Sequence, residues 1–89
     1  MIKRELTTNG MWVVYDGRVG IMEFAAADRN EERAMKAAGI CTVSIVKDDG
    51  SNELILRGIS VSELRQATFE EIPAARRPSI AVGKMLGYV

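Results

Sequence analysis

Two pairs of adjacent acids, Asp48-Asp49 and Glu70-Glu71, are the first places to look for chemistry in this chain, because neighbouring carboxylates can do acid–base work or hold a hard cation. The run Asp48-Asp49-Gly50-Ser51-Asn52 has the acids of a calcium loop but lacks the later glutamate, and a hairpin turn accounts for it better. Glu70-Glu71 reads as a solvated strand edge. The 89 residues include no histidine, which removes the usual neutral-pH base and the commonest zinc ligand. Cys41 is the only cysteine, so neither an internal disulfide nor a cysteine zinc site can form. In the apolar run 40–46 it reads as a small buried hydrophobe. Gly17 and Gly20 precede no helix and no Gly-Lys-Ser/Thr, so they make no phosphate loop. The chain is expected to be no enzyme and to carry no cofactor or metal.

Binding residues are easier to nominate. Arg76 and Arg77 fall in a stretch expected to be extended and solvated, with Arg65 before them and Lys84 after; Glu70 and Glu71 are the only acids between 65 and 84. Paired guanidinium groups suit bidentate contact with phosphate or carboxylate, although ordinary surface ion pairs would use them equally well. Trp12 and Tyr15 lie on opposite faces of one expected strand, so at least one is a candidate platform for a peptide or a base. Trp12 is also the natural centre of the core. Arg18, at the start of the next strand, completes the set of candidate binding residues. Ile80, Val82, Met85, Leu86 and Tyr88 form a second group, a large apolar set for a terminus beyond a proline-bounded linker. Either they close the protein's own core, or they dock on a neighbour.

The elements that must position these residues follow from periodicity. Residues 2–8 alternate as a half-exposed strand before Asn9-Gly10, a dipeptide suited to a tight hairpin. Residues 11–15 and 18–24 form the next two strands around Asp16-Gly17, with Gly20 suggesting a bulge or bend. The period then lengthens. Asp28 can cap a short helix over 28–38 that Gly39 stops; its narrow apolar face (Ala34, Met35, Ala38) lies on a sheet edge, or the segment is mobile. Residues 41–46 alternate cleanly, with Cys41, Val43 and Ile45 inward, and 53–57 return as their hairpin partner. Ser60 and Glu63 space as a capping box for one helical turn, residues 68–72 read as a last short strand, and Ser79 can cap a final short helix.

One domain is what this length allows. The fold class is mainly β with short helices: a small SH3-like barrel or rolled antiparallel sheet of five to six strands. Residues 1–72 would form that domain with the helical insertion, and 73–89 a C-terminal extension. Twelve basic and twelve acidic residues cancel, so no global field draws the protein to nucleic acid or an anionic membrane. No secretory leader or membrane-length apolar run is read, and a cytoplasmic setting is expected.

The run Val13-Val14-Tyr15-Asp16-Gly17-Arg18-Val19-Gly20-Ile21 resembles the first hairpin of SH3-like barrels, including the KOW type. The later pair 42–46 and 53–57, followed by a helical turn at 61–64, is similar to the rest of such a barrel. The resemblance covers roughly residues 10–72; the inserted segment 25–39 and the tail depart from it. The ending Ile72-Pro73-Ala74-Ala75-Arg76-Arg77-Pro78-Ser79, with Leu86-Gly87-Tyr88, also resembles small uncharacterised phage and prophage proteins. That likeness implies a virion-assembly or phage-regulatory role, and assembly into a virion as the other setting. The expected function is a non-enzymatic protein–protein interaction or structural module, with a protein partner or a second copy. The alternative is a nucleic-acid-binding barrel that uses the arginine tail.

Overall fold

The structure, a computed structural model, describes residues 10–89. The expected first strand, residues 2–8, lies outside them, as does Asn9. Strands β1 (Met11–Tyr15), β2 (Arg18–Glu23), β3 (Ile40–Val46), β4 (Asn52–Ser60) and β5 (Arg65–Gln66) form one antiparallel sheet in the order β4-β3-β2-β1-β5. The fold is mainly β, as its class was read. Because β4 and β5 stand at opposite ends and do not pair, the sheet is not closed into a barrel among the described residues. Helix α1 (Arg29–Ala38) joins β2 to β3, and α2 (Ile80–Met85) follows three 3-10 turns at Val61–Glu63, Phe69–Glu71 and Ala74–Arg76.

Local chemistry sets most of these boundaries. The β1–β2 turn needs positive φ at both central positions, and Asp16 (φ 49°) and Gly17 (φ 76°) supply it. In the β3–β4 turn the Asp49 carboxylate accepts the backbone N–H and hydroxyl of Ser51 at 2.9 and 2.6 Å, which is an Asx-type turn and gives that carboxylate its structural task. Those bonds hold the Asp49 carboxyl below its ordinary pKa. Asp28 caps α1 by accepting the Glu31 N–H at 2.8 Å, and Gly39 (φ 68°) closes it. Ser79 caps α2 through the Val82 N–H at 3.2 Å.

Both faces of the central strands are covered. Side chains alternate along a strand, so Met11 and Val13 meet Met22, Phe24, Cys41, Val43, Ile45 and Leu64 in one buried layer. Tyr15, Leu56, Ile59 and Met35 of α1 pack against its margin. Trp12 and Val14 point the other way and meet Val46, Ala67, Ile72 and Tyr88 in a second layer that the C-terminal segment completes. Cys41 is fully buried in the first layer, and burial pushes its thiol pKa up.

Three local expectations change. Gly20 makes no bulge: it pairs in register with Val13 and Ile45, and a Cβ there would lie 2.7 Å from the Ser44 carbonyl oxygen. Close backbone approach explains the glycine; the irregularities sit on β4 instead. Residues 68–72 form a 3-10 turn rather than a strand, because the Glu71 carboxylate folds back to accept the Thr68 N–H at 2.8 Å. Ser60 does not cap the Val61–Glu63 turn with its side chain; its hydroxyl bonds that of Ser62 at 2.8 Å.

Candidate interaction surface

The four nominated arginines are spoken for within the chain. Arg65, on β5, grips Glu71 with both terminal nitrogens at 2.7 Å each, a fork-to-fork pair. The two hydrogen bonds from Arg65 hold the Glu71 carboxyl down at about 2, with help from the Thr68 N–H. Arg18, at the start of β2, pairs with Glu53 on β4. That pair sits in an open groove of about 360 Å³ between the β1–β2 turn and the β3–β4 turn.

The tail arginines are folded back rather than extended and solvated. Residues 74–76 turn as a 3-10 helix, which carries Arg76 to the Gly50 carbonyl at 3.0 Å and lays its guanidinium 5.3 Å from the centre of the Trp12 ring. Arg77 donates to the Ile72 carbonyl from Nε at 3.2 Å and from Nη2 at 2.9 Å, and to the Glu70 carbonyl at 2.9 Å. Its guanidinium also stacks on Phe69 at 5.3 Å. Such cation–π contacts contribute about 0.5–1 kcal/mol each at exposed sites. Both arginines act as staples that hold the second core layer shut.

Of the aromatic pair, Trp12 is buried in the second layer and Tyr15 half-buried beside the first, on opposite faces as expected. Trp12 therefore presents no bare ring as a stacking platform, while Tyr15 keeps part of its surface exposed.

The C-terminal apolar group divides. Tyr88 is only 8% exposed and packs under its own domain. Its N–H donates to the Gly83 carbonyl at 2.8 Å, and its carbonyl accepts the Phe69 N–H at 3.2 Å. Gly83 lies against the Phe69 ring, so close that a Cβ would come within 2.9 Å of it. The rest of α2 faces water: Met85 is 85% exposed, Ile80 61% and Val82 43%, with Leu86 and Val89 beside them also exposed. Tyr88 fastens the helix and leaves the other apolar side chains outside.

A second apolar strip was not singled out from the sequence. On β4, Leu54 and Ile55 are exposed, Ile55 to 57%. The signal was available in Leu54-Ile55-Leu56, three apolar residues in succession, where a strand with one covered face would alternate.

Among the described residues no helix is long and apolar enough to cross a membrane, and no three His, Cys, Asp or Glu side chains gather to hold a metal ion. Comparison with protein-family models, with curated proteins and with solved structures finds no match to this chain.

Proposed function

We propose that this protein is a non-enzymatic interaction module that contacts a protein partner through the outer face of α2. The observation that carries it is the division within the C-terminal segment. A helix of six residues does not persist alone in water. Here the domain holds it through Tyr88, Gly83 and the Ser79 cap, none of which uses the side chain of Ile80, Val82 or Met85. Exposed apolar side chains gathered on a fastened element mark a contact surface more than scattered ones do.

The reading as a small SH3-like module draws support from the two hairpins and from the 3-10 turn at Val61–Glu63 just before the last strand. A virion-assembly or accessory role rests on the resemblance of the tail sequence. The nucleic-acid alternative draws less support, since Arg18, Arg65, Arg76 and Arg77 each already bond within the chain.

The test is photocrosslinking in the native cell, with a benzophenone side chain at position 85 and, as control, at exposed Ala38. A discrete protein adduct from position 85 alone supports the module, and its mass tells a second copy from another protein. Equal or absent adducts at both positions refute it.

A further inference from the structure

Strand β4 is nine residues long and, among the described residues, is bonded to β3 along one side only, so its other side stands as a sheet edge. Edges of this kind recruit strands unless something blunts them. Two irregularities do so partially. Ile45 pairs with Leu54 but Val46 with Asn52, which leaves Glu53 extra; Cys41 pairs with Ile59 but Val43 with Leu56, which sets Arg57 and Gly58 against Thr42. Between these bulges Leu54, Ile55 and Leu56 pair regularly with β3. The open edge is therefore a short straight window with a charge at each end.

That window is self-complementary. Read along the chain it runs acid, apolar, apolar, apolar, base: Glu53-Leu54-Ile55-Leu56-Arg57. An antiparallel second copy centred on Ile55 sets Glu53 of each chain opposite Arg57 of the other. Leu54 then meets Leu56, and Ile55 meets Ile55. Opposite charges and apolar pairs facing each other across strands are each favourable. A parallel copy in register would set Glu53 on Glu53 and Arg57 on Arg57, which is unfavourable twice. The charge pattern thus selects the two-fold arrangement, which closes as a dimer and does not propagate into a fibre. Arg57 makes no ion pair among the described residues, so its charge is available, and Glu53, already paired with Arg18, would share its carboxylate between the two arginines.

We propose that β4 pairs antiparallel with β4 of a second copy about Ile55, joining two five-stranded sheets into one. The seam is five residues, roughly 17 Å at strand spacing, bounded by the bulges. A contact that short makes a weak, concentration-dependent dimer. This surface is built from β4 and uses no residue of α2.

The experiment is light scattering after size exclusion across a concentration series, with Glu53→Arg, Arg57→Glu and their equimolar mixture. The unmodified chain is expected to rise from its 9.8 kDa toward twice that mass. Each single reversal turns both end pairs repulsive and should weaken the dimer roughly tenfold. Mixing the two variants should restore it, because an Arg–Arg edge then meets a Glu–Glu edge. Glu53→Arg also loses the Arg18 pair, so hydrogen exchange on the unmodified chain supplies the second reading: β4 amides slow with concentration and β5 amides do not. A chain monomeric near 1 mM, a dimer that ignores both reversals, or a mixture that fails to restore it overturns the proposal. A dimer lost on Met85→Glu but kept by both reversals overturns it too, and leaves the α2 reading intact.

Discussion

The Tyr88 hydroxyl accepts the backbone N–H of Trp12 at 2.8 Å, across 76 residues of sequence. Strand β5 is only Arg65–Gln66 and pairs with Val13 and Val14, so it stops short of Trp12. Just beyond it, the Ala67 N–H still reaches the Trp12 carbonyl at 3.0 Å, but the Trp12 N–H is left for a side chain to satisfy. Tyr88 thus stands in for a missing strand residue and ties the last turn of the chain to the sheet.

Removing that oxygen should be costly. Tyr88→Phe keeps the ring in the second layer but leaves a buried amide without its acceptor, a loss of about 1–3 kcal/mol. Urea unfolding should show the midpoint fall with little change in slope. A variant as stable as the original would mean that water reaches the Trp12 amide when the hydroxyl is gone.

What was legible in the sequence is mainly what is decided within a few residues. Asp16-Gly17, the Asp49–Ser51 turn, the caps Asp28 and Ser79 and the stop at Gly39 all act locally, and each appears where its chemistry put it. Thr68–Glu71 and Ser60–Glu63 share one capping spacing, yet only at Thr68 does the acid fold back, because Arg65 holds Glu71 in place. That choice depends on a side chain six residues earlier, outside the capping motif itself. The arginine tail failed as a solvated segment because the Gly50 carbonyl that Arg76 bonds lies 26 residues away, and because the chain turns between 69 and 76 and so brings the Glu70 and Ile72 carbonyls back to Arg77. Gly20 needed knowledge of where the Ser44 carbonyl would pass. The exposed strip on β4 had a local sign in Leu54-Ile55-Leu56, but its exposure follows from the place of β4 at the end of the sheet order.

The Arg65–Glu71 pair predicts a specific acid response. The Glu71 carboxyl sits at about 2 in the folded chain against its ordinary 4.5, so the unfolded chain takes up the proton first as pH falls. The pair's contribution is therefore complete above about pH 4.5 and is lost between there and about pH 2. Both side chains are substantially solvated, at 58% and 30% exposure, so screening limits the effect to at most about 1 kcal/mol. Glu71→Gln should lower stability at neutral pH yet lose less of it on acidification, and added salt should narrow the gap between the two proteins. Parallel stability curves from pH 6 to pH 2 would show that Arg65 and Glu71 are not coupled in solution.

Gly83→Ala sets two effects against each other. Alanine in the middle of a helix is favoured over glycine by about 1 kcal/mol, so propensity alone forecasts a more stable α2. Packing opposes it. The new methyl would stand 2.9 Å from two carbons of the Phe69 ring and 3.2 Å from a Val89 methyl, where carbon atoms prefer about 3.5–4.0 Å. The ring has little freedom to retreat, since Arg77 is stacked on it and the Phe69 N–H is bonded to Tyr88. Overpacking at such a site costs about 1–3 kcal/mol, which outweighs the helix term. The expected result is a net loss of about 1 kcal/mol, or roughly 4–8 °C in Tm for a domain of this size. Trp12, the only tryptophan, lies in the same layer and reports the cause: its emission should shift to the red as the tail lifts. A higher Tm with unchanged emission would mean that the ring swings aside freely, and that α2 is held by Tyr88 rather than by the fit of Gly83 against Phe69.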